Sequence, residues 1–172
     1  MKAVLISIKP KWCELIASGK KTVEVRKTRP KLKTPFKCYI YRTQGGGVIG
    51  EFMCDFIEPW NYSDILEMNS KTGRSILSEI SCVPFRELLT YKGELSEIFA
   101  WHISSLVIYD KPKELSEFYR ECGGIDDTGL CYECDKAVGE ECYCAVNYEL
   151  HLTRPPQSWC YVEELKGKNY GN

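Results

Sequence analysis

The chain opens with a run of apolar and β-branched residues, Ala3-Val4-Leu5-Ile6-Ser7-Ile8, the pattern of a buried strand. Pro10 suits the first turn of a helix. Trp12, Leu15 and Ile16 then fall at helical spacing through 11–18, and Gly19 supplies the stop. Polar and apolar residues alternate in Thr22-Val23-Glu24-Val25-Arg26, which predicts a strand with two distinct faces. The stretch 27–35 holds Pro30, Pro35 and four basic residues, and reads as an exposed loop. Strands are predicted at 37–43 and 48–57, joined at Gly45-Gly46-Gly47. Residues 61–80 show no single period; Asp64 to Met68 is weakly helical and Gly73 breaks the pattern. A short helix follows at 84–90 with Pro84 at its start, then a bent strand through 98–109 and a helical turn across 112–119. After a Cys-, Gly- and acid-rich stretch at 121–147, strand character returns at 148–153 and 159–163.

Short strands with one early helix predict an α+β fold, a small β-barrel closed by a few helices. The expected organisation is a barrel over 1–120, a Cys-rich insertion over 121–147 and a C-terminal strand segment over 148–165 packed on the barrel. A chain of 172 residues is long enough for that one core and an appendage. No apolar run reaches the roughly 18 residues of a membrane span, and the N-terminus is charged too early for a signal peptide. A cytoplasmic protein without membrane contact is the expectation.

Charge changes the picture. The net charge is −1, yet residues 1–50 carry a balance of +10 and the remainder −11. A basic stretch of this kind attracts a phosphate backbone when folding keeps it together on one surface, and is a neutralised solvated surface when folding does not.

Ten cysteines without a secretion signal imply thiols or metal ligands rather than disulfides. Cys13, Cys38, Cys54 and Cys82 sit among apolar neighbours and read as small buried hydrophobes. Cys131-x2-Cys134 followed by Cys142-x-Cys144 places four thiols close together, with Cys122 and Cys160 as alternates. Two readings stand for these four: a tetrahedral structural zinc site, and free or regulatory thiols.

The richest segment for chemistry is Gly19-Lys20-Lys21-Thr22-Val23-Glu24-Val25-Arg26. In an extended strand Val23 and Val25 turn to the core, while Thr22, Glu24 and Arg26 share the other face with Lys21 at its entry. An amine, a hydroxyl, a carboxylate and a guanidinium gathered this way bind a phosphate or a base edge, or move protons. A plain surface ion pair between Glu24 and Arg26 is the competing reading.

Gly19, Lys21, Glu24 and Arg26 fill the pattern Gly-x-Lys-x-x-Glu-x-Arg, and on it the chain resembles the ASCH domain of the PUA-like superfamily. Leu5 to Pro10 and Ala100 to Ile103 are similar to the flanking strands of small bacterial and phage members, and Leu152 to Val162 is similar to phage-type members. The resemblance implies a PUA-like barrel with a cleft near the first helix and the motif strand, binding RNA, a nucleotide or a modified nucleoside. It also implies two enzymatic readings, removal of an acetyl group from modified cytidine and cleavage of RNA. In the deacetylases a lysine, a threonine and a glutamate carry the reaction. Lys21 matches the lysine, whereas Glu24 occupies the threonine's place and Thr22 lies nearby on the same face. The candidate catalytic set is therefore Lys21, Glu24 and Thr22. The candidate ligand-binding set is Lys9, Trp12, Lys20, Lys21, Glu24, Arg26 and Arg29, and the candidate metal set is the four cysteines Cys131, Cys134, Cys142 and Cys144. Trp12 has a second reading, as the core anchor of the first helix. A third functional reading is a phage accessory protein whose acidic Cys-rich segment inhibits a host protein.

Overall fold

The computed structural model describes residues 1–120 and 150–165. Its strands are β1 (Lys2–Ile8), β2 (Val23–Arg26), β3 (Phe36–Arg42), β4 (Val48–Asn61), β5 (Glu97–Lys113) and β6 (Trp159–Glu163). The helices among the described residues are α1 (Pro10–Ala17), α2 (Tyr62–Leu66), α3 (Ile76–Ser81) and α4 (Phe85–Lys92), with a 3₁₀ turn at Leu115–Glu117. All strands join one sheet in the order β2-β5-β4-β3-β1-β6. The β1–β3 pair is parallel and the other pairs are antiparallel.

The apolar run of β1 is buried on both faces, as the absence of alternation requires. Val4, Ile6 and Ile8 pack with Cys38 and Ile40 of β3 and with Cys13 and Ile16 of α1. Ala3 and Leu5 point the other way, onto Tyr39, Phe118, Leu152 and Val162. A third cluster sits at the β2 end, where Val23, Val25, Ile98 and Ala100 meet Ile65, Leu77 and Leu88 of the short helices. Both faces of β2 are thus covered, one by these helices and one by the interior of the curved sheet.

The curvature has a local cause. The long β4–β5 ribbon breaks register at Val48/Gly50, Glu51/Met53 and Cys54/Ile57, and Ser105 adopts a φ of 45°. Bulges of this kind bend a ribbon and strengthen its twist. Gly50 is required at one of them, because a Cβ there would lie 2.4 Å from the Val107 carbonyl oxygen.

Two expectations are corrected. The sheet is not closed into a barrel. Strands β2 and β6 are its two edges, and four-residue β2 pairs only with β5. Side chains bridge the gap instead: Arg26 Nη1 donates to Ser158 Oγ at 3.3 Å, and Trp159 Nε1 donates to Thr28 Oγ1 at 3.0 Å. The strand expected at 148–153 is, among the described residues, a single bridge from His151 to Tyr119. Pro155 and Pro156 follow closely, and proline has no N–H to extend a ladder. The insertion assigned to 121–147 lies outside the described residues. No helix among the described residues is long and apolar enough to cross a membrane.

Cys13, Cys38 and Cys54 are buried, as expected, and burial pushes the thiols of Cys13 and Cys54 up to about 12. Cys82 is different. It is only half-buried, caps α3 in the left-handed region at φ 57°, and its thiol contacts the Lys20 carbonyl oxygen at 3.3 Å.

Candidate functional site

Helix α1 ends in a tight turn that sets the site. Gly19 takes φ +72°, and the Lys21 N–H returns to the Leu15 carbonyl at 3.0 Å. This fold-back drops Lys21 against α1 and the C-terminal end of α3. The lysine side chain is 1% exposed, and its Nζ donates to the Ser81 carbonyl at 2.7 Å. Nζ also lies 3.3 Å from Glu24 Oε2 and 5.4 Å from the centre of the Trp12 ring.

Sheet register fixes the other two charges. Glu24 stands opposite Trp101 of β5 and Arg26 opposite Phe99, so both side chains take the interior face of the curved sheet. Arg26 Nη2 meets Glu24 Oε1 at 3.0 Å and donates to the Ser7 carbonyl at 2.6 Å. A cation, an anion and a second cation are therefore buried in a row. Arg26 Nε is buried with no hydrogen-bond partner, whereas Glu24 Oε2 is held by the Lys21 ammonium. A buried donor left so is costly, about 1–3 kcal/mol.

These three residues line a cavity of about 310 Å³. Its walls come from every quarter of the chain: Ser7 and Lys9 at the end of β1, Trp12 of α1, Thr43 and Gln44 of the glycine turn, Glu87 and Tyr91 of α4, and Gln157 before β6. The volume suits a single nucleoside-sized group, at the small end of ligand pockets. Burial raises the Tyr91 hydroxyl above its ordinary value, so it stays a neutral donor at physiological pH.

The structure brings Lys9, Trp12, Lys21, Glu24 and Arg26 together around this cavity and leaves three expected residues out. Thr22 is exposed, and its hydroxyl donates to the Ile80 carbonyl at 3.3 Å. The strand begins only at Val23, so the alternation that would turn Thr22 beside Glu24 does not reach it. Lys20 is exposed on the turn. Arg29 lies over the Phe99 ring at 5.5 Å and lines a separate groove. Trp12 packs on the main core and also lines the cavity. Cys131, Cys134, Cys142 and Cys144 lie outside the described residues; among the described residues no group of His, Cys, Asp and Glu could hold a metal ion.

Sequence reasoning missed Tyr91, Glu87, Thr43, Gln44 and Gln157 as cavity walls. Tyr91 carried one readable signal, a large aromatic late in a short helix. The contribution of Gln157 depends on a contact with no local trace, since Arg26 reaches Ser158 across 132 positions.

Among curated proteins no match to the chain was found. Solved structures do resemble it. The ASCH protein of Zymomonas mobilis superposes with a TM-score of 0.59 at 17% identity, covering 94% of this chain and 88% of that one. A serine-to-alanine variant of that protein gives 0.61 at 18% identity, covering 94% and 89%. A tyrosine-to-phenylalanine variant gives 0.54 at 23%, covering 67% and 77%. At such identities the likeness speaks for the fold. The ASCH domain model matches residues 6–123, more than half of the chain, and this span includes the end of β1, the turn after α1 and the whole Lys21–Glu24–Arg26 row. The chain belongs to the ASCH domain family, whose PUA-like fold is associated with RNA binding.

Proposed function

We propose that the chain binds a nucleoside, free or within RNA, with its base in the cavity beside Glu24 and Arg26. The observation that carries this reading is a carboxylate beside a guanidinium in the cavity lining, Glu24 and Arg26, 3.0 Å apart. A base edge with an exocyclic amine next to a ring nitrogen acceptor offers the complementary pair. Cytosine has that edge: its amine suits a carboxylate, and its N3 accepts from a guanidinium. Trp12 and Tyr91 supply aromatic walls for the base.

The charges favour this over a phosphate in the cavity. Two carboxylates, Glu24 and Glu87, offset two of the three lining cations Lys9, Lys21 and Arg26, and Glu24 lies 3.3 and 3.0 Å from the last two. Hydrolysis of an acylated nucleoside draws on the Thr22 hydroxyl, which lies outside the cavity, so binding has the stronger support. The host-inhibitor reading rests on residues outside those described.

Calorimetric titration with cytidine and uridine tests the proposal. Uridine presents a carbonyl oxygen where cytidine has its amine, and that oxygen would face Glu24. Cytidine is expected to bind tighter by about 1–3 kcal/mol, at least fivefold. Glu24→Gln, whose amide can donate, should shrink or reverse the preference. Equal affinity for both nucleosides in the wild-type protein would refute the base-edge assignment.

A further inference from the structure

Outside the cavity, the most distinctive surface is the loop over 27–35. It carries Lys27, Arg29, Lys31 and Lys33 and no acidic residue. A loop with this composition would ordinarily be solvated and loose, but this one is fastened. Thr28 Oγ1 accepts from the Trp159 indole at 3.0 Å, the Lys31 backbone N–H donates to Tyr161 Oη at 2.7 Å, and Pro30 is buried. The aromatic residues of β6 thus hold the loop in one shape. Positions that are ordered in advance lose less entropy on binding.

Within the fastened loop lies a second, open groove. Arg29, Lys33 and Thr34 line it together with Leu32 and Ile57. Lys33 is exposed, and the Arg29 guanidinium carbon lies 5.5 Å from the centre of the Phe99 ring. Phe99 is also the sheet-register partner of Arg26, the cavity residue. Phe99 is therefore the link between the two places: Arg26 opposite it on one side, Arg29 covering its ring on the other. The two arginines are three positions apart, a chain span of at most about 11 Å.

We infer that this groove is a phosphodiester subsite for the nucleotide flanking the base in the cavity, so that the ligand is a base within a single-stranded polynucleotide rather than a free nucleoside. The inference rests on the cavity reading above and adds a place and a chemistry to it. Arg29 and Lys33 contact the phosphate, and the apolar floor of Leu32 and Ile57 meets the flanking sugar or base. A duplex does not fit this arrangement, since a base must leave its pair to enter the cavity.

The test uses the full chain and two ligands, cytidine by calorimetry and a fluorescein-labelled cytidine-containing RNA hexamer by anisotropy over a series of salt concentrations. The hexamer is expected to bind tighter than cytidine. The double variant Arg29→Ala/Lys33→Ala should weaken hexamer binding and flatten its salt slope by about 1.4, two contacts at roughly 0.7 each for a single strand. Cytidine binding involves neither side chain and should keep its wild-type affinity. Trp12→Ala, in contrast, should weaken both ligands. An unchanged hexamer affinity and salt slope in the double variant would overturn the subsite. Unchanged binding of both ligands in Trp12→Ala would instead overturn the cavity reading, so the two failures are distinguishable.

Discussion

Replacing Glu24 with alanine should destabilise the protein by about 3–5 kcal/mol, because it strands two buried cations. Lys21 and Arg26 have side chains 1% and 10% exposed, and Glu24 is the anion between them. In water each cation would be solvated. Here, without the carboxylate, Lys21 retains the Ser81 carbonyl and Arg26 retains the Ser7 carbonyl and the Ser158 hydroxyl, with no opposite charge in the row. Urea denaturation should show a lower midpoint with an unchanged slope, the mark of lost stability in an intact fold. Adding Lys21→Met to Glu24→Ala should recover part of the loss, because the second change removes one unpaired charge; the two effects are then non-additive. Equal midpoints for wild type and Glu24→Ala would mean that the row is solvated.

The second large effect is expected at Arg26. This residue is the principal clasp across the open side of the sheet. It reaches from edge strand β2 to the Ser7 carbonyl on β1 and to Ser158 beside edge strand β6. Hydrogen bonds to a charged group contribute about 1.5–3 kcal/mol each. Arg26→Ala should therefore cost about 3 kcal/mol or more. Arg26→Lys should recover little of it. One ammonium at the end of a flexible stem cannot hold Glu24, Ser7 and Ser158 in the fixed geometry of a guanidinium fork. Native-state hydrogen exchange gives a sharper readout than the midpoint. Exchange should accelerate in β2 and β6, the two edges that the clasp joins, more than in central β3. Uniform acceleration would show that Arg26 contributes general stability without joining the edges.

Much of this architecture was legible in the sequence where local pattern and tertiary burial agree. The run 3–8 reads as a doubly buried strand because no polar residue forces a face outward. The helix from Pro10 to the Gly19 turn is bounded by residues whose backbone preferences leave little choice. The alternation in 23–26 correctly assigns Val23 and Val25 to one core and Glu24 and Arg26 to the other face. The same alternation fails at Thr22, where the chain is still leaving the turn and its hydroxyl meets Ile80 instead.

The remainder was hidden for physical reasons. Helix α3, with six residues, is too short to display a period, although Ser75 caps it as such residues do. Closure of the barrel failed because strand count and curvature do not reveal whether the last two edges meet. That depends on the length of β2 and on where Ser158 and Trp159 fall. The cavity walls from α4 and from Gln157 arrive through long-range packing, which leaves no mark on neighbouring residues. The segregation of basic residues into the first fifty positions became two separate things in space: Lys21 and Arg26 buried around Glu24, and a fastened basic loop outside.

The most direct test of the central claim is a ¹⁵N correlation spectrum recorded while cytidine is added. Buried and unpartnered, the Arg26 Nε–H group should give a resolved signal, and the indole N–H of Trp12 a second one close by. The account expects both signals to shift together and saturate with cytidine, with Arg26 Nε–H moving in the direction of a newly formed hydrogen bond. If neither signal moves while cytidine binds, or if only signals remote from the cavity respond, the base does not sit against Glu24 and Arg26.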